Sequence, residues 1–321
     1  MAALLIYSGY KETALSIKRT IENGIETFEA ELDGERIVWD RGLTYADHLQ
    51  TDPLLSAQVP MSGKHDEMLF IIMHQTMELW IKLQIHECKQ AMAHIRADEL
   101  PQASRTLDRI ATIMRHMIHS WEVLATLSPS EFMTFRGYLG KASGFQSHQY
   151  RELEFRLGLK RPELITIHMD DPERTAALEE ALAAPSLYDE MLYLLDRRGY
   201  EIPKEVIGRD LTKPYESDRT IENAWLEIYS NPQEHWELYA LAEKVTSLEY
   251  YFQEWRFKHM KTVSRVIGHR HGTGGSAGVK YLVKALELRF FPELWSMRTR
   301  MEADKPEGGS HGGGHGEGCP V

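Results

Sequence analysis

Cysteine, alternating apolar–polar runs and long hydrophobic stretches are all scarce in this sequence, and each shortage narrows what the chain can be. Two cysteines among 321 residues, Cys88 and Cys319, cannot build a disulfide framework, so a reducing cytoplasm is the expected compartment. Met1-Ala2-Ala3-Leu4-Leu5-Ile6-Tyr7 lacks the basic start and the apolar length of a secretory signal. No stretch approaches the roughly 18 uninterrupted apolar residues that a membrane span needs. Basic residues number 37 against 48 acidic ones, and the formal charge of −11 argues against general affinity for nucleic acid or anionic membranes. No internal repeat is present, and no Gly-, Ser- or Pro-rich linker divides residues 40–300.

What the chain does have is helical periodicity on a 42% apolar composition, enough for a large core. The pattern predicts an all-α fold: one helical bundle, with an N-terminal extension over 1–42, the main domain over 43–301 and a tail over 302–321. Residues 11–32 fit a moderately amphipathic helix containing Gly24, followed by a loop through Asp33-Gly34. Long helices are expected over Asp66 to Arg96, Gln102 to Thr126 and Ser147 to Leu157. Ser128-Pro129-Ser130-Glu131 has the grammar of a helix start: a capping serine, a proline at the first position and a glutamate at the third. Asn231-Pro232-Gln233-Glu234 repeats that grammar, Ser186-Leu187-Tyr188-Asp189 is a weaker version, and Gly268 is a plausible helix terminator. The tail contains His311, His315 and Cys319 among glycines. Its composition predicts disorder, with metal binding as the alternative.

Two histidines stand out. Val245, Leu248, Phe252, Trp255, His259, Val263 and Val266 recur at three- and four-residue steps, which puts an imidazole on the apolar face of a helix. Phe70, His74, Met77 and Ile81 do the same on another. A single histidine so placed is more often a satisfied core residue than a functional one. Two of them on separate core helices suit groups that oppose each other across a cofactor. Phe132 and Arg136 share a face of the helix opened by Ser128. Arg136 is either an exposed residue paired with a nearby glutamate or the fork that binds a ligand carboxylate. Ala142-Ser143-Gly144-Phe145-Gln146 offers a hydroxyl beside a glycine. Gly272-Thr273-Gly274-Gly275-Ser276 offers backbone N–H groups and a hydroxyl over a small ligand, but lacks the lysine and the preceding strand of a phosphate loop. His86-Glu87-Cys88 lacks the second histidine of a zinc hydrolase motif.

Taken together, these segments resemble the tryptophan 2,3-dioxygenase family of haem enzymes. The resemblance is carried by His65-Asp66-Glu67-Met68-Leu69-Phe70-Ile71-Ile72-Met73-His74-Gln75-Thr76, Phe132-Met133-Thr134-Phe135-Arg136, Ser143-Gly144-Phe145-Gln146-Ser147, Ala184-Pro185-Ser186-Leu187-Tyr188, Trp255-Arg256-Phe257-Lys258-His259-Met260 and Gly272-Thr273-Gly274-Gly275-Ser276. In order and spacing it covers about Leu43 to Arg298.

The resemblance implies haem b with ferrous iron, His259 as its axial ligand, dioxygen as co-substrate and L-tryptophan or a close analogue as substrate. It implies that His74 accepts the indole N–H, that Phe70 packs on the ring and that Arg136 binds the carboxylate. Thr273 would help hold the ammonium and carboxylate, Phe132 and Ser143 would line the substrate pocket, and Tyr45 would belong to an N-terminal arm exchanged between subunits of a homotetramer. The implied reaction is cleavage of the indole C2–C3 bond to N-formyl-L-kynurenine. Some positions depart from the family pattern: His48 and His269 replace common aromatics, Phe132 stands where some bacterial members have tyrosine, and the first 40 residues match nothing in it. A relative that inserts one oxygen into tryptophan or a substituted tryptophan, giving a 2-oxindole, is the alternative outcome.

Overall fold

The computed structural model describes residues 17–40, 42–275 and 277–302. The chain divides into two compact units between Val59 and Pro60. Thirteen α-helices and one three-stranded sheet are present among the described residues. Helix therefore dominates, as the periodicity requires, and no helix described is long and apolar enough to cross a membrane.

The first unit corrects the helix expected over 11–32. Residues 11–16 lie outside the described residues, and the remainder is an antiparallel meander of β1 (Lys18–Glu22), β2 (Ile25–Leu32) and β3 (Glu35–Asp40). Its two turns explain the error. Asn23-Gly24 has φ values of 52° and 80°, and Asp33-Gly34 has 51° and 82°. Two consecutive left-handed residues make the hairpin turn whose twist matches that of its strands, and Asn-Gly and Asp-Gly are the pairs that tolerate it. Register then separates the faces. Ile21, Phe28, Ala30, Leu32, Ile37 and Trp39 share one side, with Phe28 stacked on Trp39 at 5.7 Å, while Lys18, Glu29 and Arg36 share the other. Two short helices follow, α1 (Tyr45–Leu49), capped by Thr44, and α2 (Thr51–Ser56).

The second unit is built on three long helices: α3 (Glu67–Arg96), α4 (Leu100–Leu124) and α11 (Trp236–Ile267). α4 packs along both α3 and α11. Met73, Met77, Ile81, Ile85, Cys88, Met92 and Ile95 are the buried stripe of α3, and Val245, Leu248, Phe252, Trp255 and Val266 are that of α11. Between α4 and α11 lie α5 (Pro129–Phe135), α6 (His148–Leu157), α7 (Pro172–Ala183), α8 (Leu187–Arg197), α9 (Lys204–Ile207) and α10 (Arg219–Ser230). After α11 come α12 (Val279–Ala285) and α13 (Pro292–Ser296).

The predicted helix starts fare unevenly. Ser128 caps α5 with a full box: its hydroxyl accepts from the Glu131 N–H at 3.3 Å, and Glu131 accepts from the Ser128 N–H at 2.8 Å. Ser186 and Asp189 form an equally complete box on α8, stronger than its sequence suggests. Asn231 does not start α11. It ends α10, donating its N–H to Glu227 O at 3.1 Å, while its own carbonyl accepts from Glu234 and His235 N–H groups in a separate turn. α11 begins only at Trp236, without a side-chain cap. Gly268 does end it, at φ 62°. A buried carboxylate anchors α11. Glu249 accepts from the Phe290 N–H (2.8 Å), the Phe291 N–H (3.2 Å) and Trp295 Nε1 (2.8 Å), tying the helix to the segment that enters α13.

Candidate active site

The stripes carrying His74 and His259 face a common cavity of about 250 Å³ in the second unit, bounded by α3, α4, α5, α6 and α11 and by the loops around Ser143 and Thr273. Its wall is chiefly apolar. Phe70, Phe132 and Phe135 pack with centroid separations of 5.2–5.8 Å, so one aromatic corner is shared by α3 and α5. A site of this kind suits an apolar ligand fixed by a few polar groups.

His259 is enclosed by protein yet keeps part of its surface open to the cavity. No hydrogen-bond partner for it exists among the described residues; it is held by rings instead. Trp121 of α4 stacks on it at 4.6 Å and 8°, and Trp255 lies tilted at 5.5 Å. Burial, assisted by the nearby His74, pushes the His259 imidazole down to about 4, so at neutral pH it is uncharged and has a free lone pair. His74 differs in one respect. Its Nδ1 donates to the Phe70 carbonyl at 2.7 Å, which assigns the proton to Nδ1 and leaves Nε2 as an acceptor. Burial lowers the His74 pKa too, against the Phe70 bond and the Glu78 charge that raise it.

Three contacts join the Arg136–Ser143 segment to the His271–Gly274 loop. Arg136 donates from Nη2 to the His271 carbonyl at 2.7 Å, the Thr273 hydroxyl donates to the Ala142 carbonyl, and Gly274 lies against Ser143. No acidic partner of Arg136 exists among the described residues, so the exposed Arg–Glu pair that its sequence allowed is not formed. The Ser143 hydroxyl accepts from the Phe145 N–H at 3.4 Å. Phe70, His74, Phe132, Arg136, Ser143, His259 and Thr273 therefore gather around one cavity. Tyr45 is in the first unit, on α1, with 78% of its surface exposed. His269 is exposed just beyond the end of α11.

The loop contact yields a prediction. A Cβ on Gly274 would stand 2.6 Å from Ser143 Cβ and 3.1 Å from its Oγ, so the two loops would have to part. Overpacking of this kind costs about 1–3 kcal/mol. Gly274→Ala is expected to raise KM for the ligand of this cavity about tenfold, by the same penalty, without loss of the fold. Steady-state kinetics beside a thermal melt checks both halves.

A sequence model of the tryptophan 2,3-dioxygenase family matches residues 30–180 and 170–301. The chain is 50% identical over 277 residues to a protein named tryptophan 2,3-dioxygenase from Bacillus thuringiensis (strain Al Hakam), a match covering 84% of this chain and 99% of that one. The chain belongs to the tryptophan 2,3-dioxygenase family. A protein of the same name from Burkholderia pseudomallei (strain 668) is 49% identical over 263 residues, 82% of this chain and 86% of that one. The match begins within β2, earlier than the quoted motifs, and leaves β1 outside. Membership makes the chain an enzyme of the dioxygenase class and makes the cavity its candidate active site.

A haem passes the test of fit that the donor set sets. A porphyrin supplies four nitrogens and asks the protein for one neutral axial imidazole in an apolar slot, which is what His259 offers. Among the described residues no cluster of three or more His, Cys, Asp or Glu is placed to hold a bare ion. Trp121 and Trp255, which flank His259, each have a buried indole N–H without a partner among the described residues.

Several residues at this cavity escaped the sequence reading. Trp121, only 4% exposed, follows Ile110, Met114, Met117 and Ile118 on an ordinary core stripe, and nothing in that spacing marks its stacking on His259. Tyr150, Arg151, Glu154 and Arg256 also line the cavity. The one signal visible for Arg151, Glu154 and Arg256 is charge on helices that are otherwise largely buried, and Tyr150 has none.

Proposed function

We propose that this chain binds ferrous haem b through His259 and uses dioxygen to cleave the indole C2–C3 bond of L-tryptophan, giving N-formyl-L-kynurenine. The observation that carries the proposal is the pair of imidazoles: His259, neutral and without a hydrogen bond among the described residues, shares an apolar cavity with His74, whose tautomer is fixed. When bound, the haem supplies the oxygen chemistry, in which both atoms of dioxygen enter the product.

The residues of this chain bind and orient. His259 presents the lone pair. His74, with its proton committed to the Phe70 carbonyl, turns Nε2 toward the indole N–H and accepts from it. Phe70 and Phe132 pack on the flat ring. Arg136, without an acidic partner among the described residues, takes the carboxylate of the amino acid with its planar fork. The Thr273 hydroxyl spends its proton on Ala142 O and so meets the ammonium with its lone pairs. The Ser143 hydroxyl, already accepting from Phe145 N–H, donates to no other group among the described residues and can turn its proton to the pocket. Such orientation converts a bimolecular encounter into a positioned one. The assembly that accompanies this function is a cytoplasmic homotetramer in which the N-terminal arm, with Tyr45, completes a neighbour's pocket.

Two outcomes are expected of His74. His74→Ala removes one positioning bond, so kcat/KM should fall about 10- to 100-fold, the usual cost of a hydrogen bond to a desolvated group, while haem stays bound. The pH dependence has a definite sign. Burial lowers the His74 pKa from 6.5, so the imidazole stays neutral and accepting until the pH is below that value. A plot of kcat/KM against pH should be level with respect to this group above 6.5 and fall only at lower pH. A midpoint above 6.5 for that limb would assign it elsewhere.

The proposal as a whole is tested by turnover of haem-loaded, reduced protein with L-tryptophan under ¹⁸O-labelled dioxygen. Mass analysis should find two labelled atoms in N-formyl-L-kynurenine. One labelled atom in a 2-oxindole would replace the dioxygenase proposal with the monooxygenase alternative.

A further inference from the structure

The cavity contains a second guanidinium centre that the substrate clamp does not use. Arg151 on α6 and Arg256 on α11 both pair with one carboxylate, Glu154, at 2.6 Å and 2.7 Å, and the three side chains are 3–4% exposed. Arg256 is hydrogen-bonded at all three of its nitrogens. Its Nε donates to the Tyr150 hydroxyl at 3.2 Å, Nη1 to the Ala285 and Leu288 carbonyls at 3.2 Å and 3.1 Å, and Nη2 to Glu154. Arg151 is not. Its Nη1 meets Glu154 and its Nη2 makes a long 3.5 Å contact to the Tyr281 hydroxyl, but its Nε is buried without a partner. Phe145 and Tyr150 hold this guanidinium against their rings, with its carbon 5.2 Å and 5.1 Å from the two centroids. Glu78, the other carboxylate of the cavity, accepts from Gln149 Nε2 at 2.8 Å and forms no ion pair among the described residues. Two buried cations thus share one anion, and an excess positive charge held out of water calls for an anionic group from the ligand.

Resting on the haem proposal above, we propose that Arg151, braced through Glu154 by Arg256, seats a carboxylate of the prosthetic group, a porphyrin propionate. Position favours the prosthetic group over the amino acid as its source. Arg256 precedes His259 by three residues of α11, about 4.5 Å of helical rise, so the cluster lies beside the axial ligand. Arg136 instead is partly exposed and bonded to the His271 carbonyl, two residues before Thr273. The two guanidiniums are separate seats, one for each carboxylate-bearing partner.

The test compares ferric haem with its dimethyl ester, in which the propionates carry no charge. The full chain is loaded with either, and loss to an excess of a haem-scavenging globin is timed by absorbance. In the wild type the ester should leave at least about tenfold faster, the lower end of what removing a partner near a metal ligand costs. In Arg151→Gln haem should leave as fast as the ester, and esterification should then add nothing. Arg151→Lys, which keeps the charge, should recover part of the difference and serves if the glutamine variant does not fold. Equal loss of haem and ester from the wild type overturns the proposal. So does a full ester effect in Arg151→Gln. An Arg151→Gln protein that keeps the ester effect but no longer binds L-tryptophan would assign Arg151 to the substrate instead. If the wild type takes up no haem at all, the proposed function itself has failed, an outcome distinct from the others.

Discussion

Replacing His259 with alanine is expected to leave a folded protein that purifies almost without haem. The side chain makes no hydrogen bond among the described residues, so its removal leaves no broken polar network behind. What is lost is the lone pair, together with the stack against Trp121. Loss of even an outer-shell partner of a metal ligand costs about 10- to 100-fold in affinity, and loss of the ligand itself should exceed that range. The pyridine haemochrome assay and Soret absorbance measure the effect directly. Added imidazole, small enough for the space vacated, should restore part of the absorbance. A variant with a full complement of haem and unchanged activity would show that iron is bound elsewhere.

Arg136→Ala should have the second-largest effect, and on a different quantity. Arg136 has no acidic partner among the described residues, and its one bond is to the His271 carbonyl. Its charge is therefore available for a carboxylate. Truncating one member of a desolvated charge pair costs about 2–5 kcal/mol. Arg136 is only half-buried, so a value toward the lower end, about 3 kcal/mol, or roughly 100-fold in kcat/KM for L-tryptophan, is expected. Haem content should not change. Tryptamine, which lacks the carboxylate, should be handled about equally by wild type and variant. A variant with unaltered kcat/KM would remove Arg136 from the clamp.

Much of this molecule was legible in its sequence, and the exceptions have physical causes. α3 and α11 could be placed because each has one apolar stripe long enough to outweigh local noise. The same stripes exposed His74 and His259 as polar groups on faces that should hold none. α5 and α8 announce themselves through serine caps whose partners are three residues away, a local signal. The sheet over 18–40 is masked because residues 11–32 also fit a helical period, although Asn23-Gly24 and Asp33-Gly34 are the dipeptides of hairpin turns. Asn231 misled because its carbonyl starts a turn that does not continue into α11. The Arg151–Glu154–Arg256 cluster joins α6 to α11 across about 100 residues, and no spacing rule spans that distance. The openness of Arg136 is an absence, visible only once its surroundings are folded.

Tryptophan titration of the ferrous, haem-loaded protein under argon tests the central claim most directly, because it asks whether iron and amino acid occupy one cavity. The account predicts a saturable change in the Soret band with L-tryptophan that is weakened about 100-fold in Arg136→Ala, the clamp's share of the binding. A ferrous spectrum that L-tryptophan leaves unmoved at every concentration would contradict it.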